Sequence, residues 1–331
     1  MKVVTFGELL LRLSPEGSRR LFEDDRLQWF FGGSEANVAV SVANFGGESV
    51  FVTKLPQNPI GDGALQTLQA LGVKTDCVVR GGSRMGVYFW ERGIPPQGAV
   101  CIYDRAHSAI AEAEETDFDW DAIFAGADWF HFSGVTPALG GALPALCEAA
   151  CRAARERGIT VSCDLNYRDR LWSREDACRT MGHLCQWVDV CIANDEDAKD
   201  VFDILPTDGT EGRAAYLSVA QQLTDRFGFR QVALILRVPD AEAGYRLTGL
   251  LYEGKTETAC FAPEHRLQIR ERVGAGDAFC GGLIYALTDG MSPQAAVRFG
   301  VAASALKHGV EGDYNRVTRD EVLREAGLSL S

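Results

Sequence analysis

Two hydrophobic periods take turns along the chain, one of two residues and one of about 3.6, and their order predicts the architecture. Val3 to Gly7 reads as a short buried strand. The next helical stretch has Ser34 as its expected N-cap, Glu35 in the first turn and Gly46-Gly47 as its stop. Ser49 to Lys54 then predicts a strand, and Asp62 to Leu71, closed by Gly72, a helix. From Trp129 the alternation is regular: strand Trp129 to Ser133, helix Pro144 to Arg157, strand Thr160 to Leu165, helix Arg174 to Gln186, strand Val188 to Ala193. Helix Arg213 to Phe227, strand Gln231 to Leu236, a hairpin from Arg246 to Phe261, and helices at Ala278 to Leu287, Pro293 to Lys307 and Arg319 to Ala326 follow. Alternation of this kind implies right-handed crossovers and an α/β fold, a mostly parallel central sheet between helices.

One region breaks the rhythm. Lys74 to Ala109 holds short β-like pieces, Asp76 to Arg80, Gly86 to Glu91 and Ala99 to Tyr103, separated by Gly81-Gly82 and by Gly93-Ile94-Pro95-Pro96-Gln97-Gly98. With the apolar pieces at Leu9 to Leu13 and Gln28 to Phe31 they suggest a small β-sheet lid, inserted from about residues 9–31 and 74–109 into a single domain spanning 1–331.

Composition narrows the partners. A net charge of −13 over 331 residues, with no basic run to offset it, argues against nucleic acid or an anionic membrane and for a small-molecule partner. Ten cysteines without a Cys-x-x-Cys fit free thiols of a reducing cytoplasm, and no apolar run approaches a membrane span. The apolar Gln28-Trp29-Phe30-Phe31 stretch and the lid strands offer edges that a homo-oligomer would cover.

The chemistry concentrates in Arg270-Glu271-Arg272-Val273-Gly274-Ala275-Gly276-Asp277, just before a strongly apolar helical stretch. Two glycines let the backbone approach a ligand, and amides at a helix start favour an anion. Asp277 at that mouth is expected to stay ionised and available as a base, which suits phosphoryl transfer. A second string, Gly249-Leu250-Leu251-Tyr252-Glu253-Gly254-Lys255-Thr256, fits the letters of a phosphate loop. Its context is wrong, because the residues on both sides are strand-like and no helix follows the Lys-Thr pair. Ligands of open α/β sheets bind beyond the strands' carboxyl ends, which adds Gly32-Gly33, Asn166 to Arg168 and Asn194 to the candidates.

With Gly274-Ala-Gly-Asp277, the early Gly32-Gly33-Ser-Glu-Ala-Asn37 and Asn194 opening a helix, the chain resembles the ribokinase-like (PfkB) carbohydrate kinases over nearly its whole length. Asp164-Leu-Asn-Tyr-Arg-Asp-Arg-Leu-Trp172, Cys101 to Ser108 and Gly312 to Thr318 are similar to the 2-keto-3-deoxygluconate kinases within that family. The resemblance implies a ribokinase-like fold with a β lid, ATP and Mg²⁺ as cofactors, and a sugar acid phosphorylated at its terminal hydroxyl. Asp277 would be the base, and the amides of Ala275, Gly276 and Asp277 on Gly274 the anion hole. Gly33, Asn37, Tyr88, Tyr103, Arg105 and Arg168 would meet the sugar acid, the two arginines because a keto-acid carries a carboxylate. Asn166 and Asn194 would lie on the nucleotide side, with Ala303, Lys307 and Gly309 near the adenine. Asp197, with Glu196 or Asp195, would order Mg²⁺ through water.

The chain departs from the family at Glu271-Arg272, where Asp-Thr is common, and at Ile235 to Ala241, where relatives carry a glycine-rich loop. Two other readings keep parts of this picture: a kinase of a neutral sugar such as fructose or of a nucleoside, and a catalytically weak sugar-acid binding protein.

Overall fold

The computed structural model describes residues 1–93, 98–194, 196–240, 244–267 and 269–329, so Ile94 to Gln97, Asp195 and Ala241 lie outside the described residues. The first strand, β1 (Lys2–Phe6), is followed by an antiparallel pair, β2 (Leu10–Ser14) and β3 (Gln28–Gly32), before the chain enters α1 (Ser34–Asn44). Next come β4 (Glu48–Leu55), α2 (Pro59–Ala70), β5 (Val78–Arg80), β6 (Gly86–Glu91) and β7 (Val100–Asp104). The regular part runs α3 (Trp120–Ile123), β8 (Trp129–Ser133), α4 (Leu143–Glu156), β9 (Thr160–Asp164), α5 (Arg174–Leu184), β10 (Val190–Asn194), α6 (Asp197–Phe202), α7 (Arg213–Phe227) and β11 (Gln231–Asp240). It closes with β12 (Gly244–Glu253), β13 (Thr258–Phe261), β14 (His265–Arg266), α8 (Ala275–Thr288), α9 (Pro293–Lys307) and α10 (Arg319–Glu325).

The central sheet has the order β13-β12-β11-β10-β9-β8-β1-β4-β5, with β14 added against β12. Every pairing from β5 to β11 is parallel, and β12 and β13 finish the edge antiparallel. Neighbouring residues of β1 show why both faces must be covered. Val4 enters an apolar core with Phe132, Leu146 and Met181, while Val3 enters another with Val38, Phe279 and Val301. In the second core α1 lies against α8, which brings the start of each helix to the same end of the sheet. A third, smaller core at Leu9, Phe31, Ala36 and Tyr314 joins the second sheet to the body.

That second sheet has the order β3-β2-β6-β7. Its pleat sends Tyr88 and its cross-strand partner Tyr103 to one side, and Leu13, Trp29, Phe89 and Ile102 to the other. Asp76 to Arg80 does not belong to it. Lys74 is held to β4 by a backbone bond to the Ser49 carbonyl (2.8 Å), and β5 continues that parallel pairing at the edge of the central sheet.

Local chemistry corrects two more boundaries. The N-cap of α1 is Gly33, and Ser34 is already helical, so its hydroxyl is free for other work. The stretch from Arg237 to Asp240 continues β11, paired with Gly244 to Leu247 on β12, where a loop was expected. The rejected phosphate-loop string lies on β12 and the turn into β13, with no helix after it.

Candidate active site

A cavity of about 500 Å³ opens beyond the carboxyl ends of β8, β9 and β10 and lies beneath the second sheet. Tyr88, Trp90 and Tyr103 face it from that sheet, Asn37 from α1, Asp164 from β9 and Asp277 from α8.

Asp277 sits in the first turn of α8, and the glycine before the helix explains how. Gly274 takes the left-handed conformation (φ 77°, ψ 2°) as the N-cap, and a Cβ there would lie 2.1 Å from the Asp313 carbonyl oxygen. The Ala275 amide, expected in the anion hole, has a long bond of 3.4 Å to the Arg272 carbonyl, and Ala275 is not among the residues lining the cavity. The amides of Gly276 and Asp277 have no acceptor among the described residues, as first-turn geometry requires.

Both carboxylate oxygens of Asp277 are held from α1. Ser34 Oγ donates to Oδ1 at 2.8 Å and Asn37 Nδ2 to Oδ2 at 2.7 Å. Burial pushes the Asp277 carboxyl above its usual range, while Asn37, Ser34, Arg168 and Lys307 pull it back. The sequence suggested a carboxylate kept ionised by the helix dipole; burial works against that and makes a stronger base once the proton is gone. Asn166, expected beside the nucleotide, lines the cavity and donates from Nδ2 to Ser34 Oγ at 3.0 Å, and it does so from a left-handed backbone (φ 39°). Asn166, Ser34 and Asp277 thus form one chain of bonds.

Between Ser34 and Asn37 lies Glu35, whose role the sequence did not expose. Its Oε1 accepts bonds from Ser133 N (2.9 Å), Ser133 Oγ (2.8 Å) and Thr136 Oγ1 (2.7 Å), fastening the start of α1 to the loop after β8. Burial pushes this carboxyl up to about 7 against those donors. Gly33 lines the cavity too, but the demand for glycine comes from inside the protein: a Cβ there would lie 2.0 Å from the Glu8 carbonyl oxygen.

The two arginines expected to read a carboxylate differ. Arg168 extends into the cavity and stays open to its solvent. Burial works to lower its pKa, but Tyr103, Asp197, Asp277 and Asp164 outweigh this and hold the guanidinium above its ordinary value. Arg105 is not a free cation. Its Nε donates to Glu8 Oε2 at 2.6 Å, Ser108 Oγ donates to the other Glu8 oxygen at 2.6 Å, and both charged residues are buried. Glu8 follows β1 directly, so the rule that strand ends carry function was the available signal for it. Tyr88, buried, donates its hydroxyl to Asp313 Oδ2 at 2.8 Å and offers the cavity its ring, and Tyr103 lies beneath the Arg105 guanidinium at 5.3 Å.

On the acidic side, Asn194 Oδ1 accepts from the amides of Glu196 (2.7 Å) and Asp197 (3.0 Å), an internal cap for α6. Asp197 was expected to reach a metal through water. It lines the cavity, where each oxygen accepts one backbone amide at 3.0 Å, Oδ1 from Tyr167 N and Oδ2 from Asn194 N, and Glu196 is exposed outside the cavity. Asp164, which the sequence reading passed over, is the better-placed carboxylate. Among the described residues its only side-chain donor is the Cys280 thiol at 3.6 Å. Burial and then the charges of Asp197 and Asp277 push it well above the usual range, so it favours a proton or a cation. Among the described residues no three His, Cys, Asp or Glu side chains form a metal cage. The donor set suits an Mg²⁺ that keeps its waters and rides on phosphates.

The residues expected near the adenine are buried or lie outside the cavity lining. Ala303 is fully buried in the seam between α8 and α9, against Gly282, and is not part of the cavity lining. Lys307 is buried, its ammonium donating to the carbonyls of Val310 (3.0 Å) and Gly312 (2.9 Å), and burial pulls it down to about 8. Gly309 is exposed in the turn after α9, outside the cavity lining. Arg237 and Arg272, both exposed, do line the cavity.

A parallel sheet between helix layers, a second sheet over its carboxyl edge, and a carboxylate at a bare helix N-terminus define a sugar-kinase type of site. Residues 1–319 match the pfkB family of carbohydrate kinases, and the chain belongs to that family. It is 34% identical over 98% of its length, and 96% of the relative's, to the 2-dehydro-3-deoxygalactonokinase of Haloferax volcanii. The crystal structure of 2-dehydro-3-deoxygluconokinase from Thermotoga maritima superposes with a TM-score of 0.94 at 45% identity, covering 99% of both chains. A ribokinase II from E. coli in complex with ATP and Mg²⁺ shares the fold, with a TM-score of 0.82 at 16% identity over 98% of this chain and 99% of that one.

Proposed function

We propose that the protein transfers the γ-phosphoryl group of ATP to the terminal hydroxyl of 2-keto-3-deoxygluconate. The observation that carries this reading is Asp277, oriented through both oxygens by Ser34 and Asn37 beside two free helix amides, with Arg168 open in the same cavity. Asp277 takes the proton of the attacking hydroxyl. The amides of Gly276 and Asp277 meet the charge on the transferred group, and positioning supplies much of the rate. Arg168 offers a planar fork to the sugar's carboxylate, and Arg105, steadied by Glu8, adds its remaining donors. Mg²⁺, when bound, neutralises the triphosphate; Asp164 is the residue that fits its water shell, and Arg237 and Arg272 flank the phosphate path.

The relatives named for the galactonate epimer and for the gluconate epimer both fall within this substrate class. A coupled ADP-release assay with both epimers, fructose and a nucleoside tests the reading: turnover of the keto-deoxy acids and not of the neutral compounds is expected, and preference for fructose would overturn it. The row Trp29, Leu13, Phe89 and Ile102 crosses the outer face of the second sheet, with Trp29 62% and Ile102 48% exposed. It supports a homo-oligomer formed through that sheet, which Trp29→Asp would dissociate in sedimentation. Ten free cysteines support a cytoplasmic location. Among the described residues no helix is long and apolar enough to cross a membrane.

A further inference from the structure

The two carboxylate oxygens of Glu271 face different parts of the molecule. Oε1 accepts the amides of Arg272 (2.9 Å) and Val273 (3.3 Å), shaping the turn that delivers Gly274 in its left-handed conformation. Oε2 accepts Arg12 Nη1 at 3.2 Å, and Arg92 Nη2 approaches it at 3.6 Å. Arg12 is on β2 and Arg92 just follows β6, so one oxygen holds the helix-entry turn and the other holds the second sheet. The Arg12–Glu271 pair is almost fully buried, 1% and 3% exposed.

A neighbouring link runs the same way. Asp313 Oδ2 accepts the Tyr88 hydroxyl at 2.8 Å and lies 3.5 Å from Arg12 Nη1, while the Asp313 carbonyl packs against Gly274 so tightly that no Cβ fits between them. Both acids join the Arg12 guanidinium to the start of α8. The guanidinium lies over the Phe30 ring at 4.3 Å, within the second sheet.

We propose that Glu271 is a positioning residue that couples the second sheet to the phosphoryl-binding amides, so that the sheet's placement over the sugar sets the turn at Gly274. Glu271 touches neither substrate; it acts through the backbone of Arg272 and Val273. The consequence is synergy: a sugar acid that seats the sheet improves nucleotide binding, and by linkage the nucleotide improves sugar binding equally. This rests on the kinase reading above.

The test uses Glu271→Gln, which keeps an oxygen for the two amides but cannot accept from Arg12, together with Arg12→Lys and the double variant. In the ligand-free protein, amide hydrogen exchange at Arg272 and Val273, whose amides Glu271 accepts, should rise about tenfold in each variant while the β9 amides keep their protection. The double variant should be no worse than either single one. In turnover, kcat should fall about tenfold, the gain in ADP affinity on adding sugar acid should vanish, and Glu271→Asp should restore part of both. Unchanged exchange at the turn, or strictly additive effects, would overturn the coupling. A wild type that phosphorylates no sugar acid would instead overturn the kinase reading and leave the exchange result to decide the coupling.

Discussion

Asn37 Nδ2 donates to Asp277 Oδ2 at 2.7 Å across 240 residues of sequence, joining the first turn of α1 to the first turn of α8. The bond orients the base and also stabilises its charged form. Asn37→Ala removes a donor to the carboxylate, so the Asp277 pKa, already raised by burial, must rise further. Activity needs the ionised form, which exists above that pKa. The acid limb of the kcat/KM profile should therefore move to higher pH, with kcat down about tenfold at neutral pH. An unmoved limb would separate Asn37 from the base.

Arg168 and Arg105 should fail in different ways. Arg168 is open to the cavity, so Arg168→Leu should leave the melting temperature near wild type and reduce sugar-acid turnover about 10²-fold, far more than any residual neutral-sugar turnover. Arg105→Leu strands the buried Glu8 carboxylate with only Ser108, a loss of about 3–5 kcal/mol. Calorimetry beside kinetics distinguishes them, and equal stability losses would contradict the assignment.

Glu35 predicts a pH dependence of stability. Its folded carboxyl titrates at about 7, and an unfolded glutamate near 4.3, about the model-peptide value. A carboxyl raised by folding stabilises the folded state fully below the unfolded pKa, and that contribution is lost as pH rises through the folded one. Glu35→Gln keeps an acceptor for Ser133 and Thr136 without the titration. Between pH 5 and 8 the wild type should lose stability relative to the variant, by on the order of 3 kcal/mol across the full window. Urea unfolding at both pH values measures it, and parallel curves would refute it.

What the sequence made legible was periodic or local. The alternation that gives the parallel sheet, the apolar α8 and the glycine turn before it are written in adjacent residues, and helix Arg213 to Phe227 and strand Trp129 to Ser133 fall where their patterns end. What it hid was long-range partnership. Nothing near Arg105 shows that its charge is met by Glu8, 97 positions away. Ser34 carries the letter of a cap, but Gly33 occupies the cap position, and the hydroxyl serves Asp277. Lys307 and Ala303 were placed by the family resemblance, while the helix phase that buries both is set by the crossing of α8 and α9. Asp197 shows the same limit: its charge was visible, the two amides that hold it were not.

Nucleotide should stabilise the fold, because ATP with Mg²⁺ binds the folded chain alone; at 100 times Kd the gain is about 2.7 kcal/mol, readable as a thermal shift. Arg237→Ala should shrink that shift and leave the one given by sugar acid. Equal shifts would remove Arg237 from the phosphate path.

The central claim is that Asp277 is the base, and Asp277→Asn tests it most directly, because the amide keeps the size of the side chain and the helix start. In a coupled ADP-release assay with saturating 2-keto-3-deoxygluconate and ATP, kcat should fall by about 10²-fold or more, while both ligands still raise the melting temperature. A variant that binds both and turns over at the wild-type rate would contradict the account.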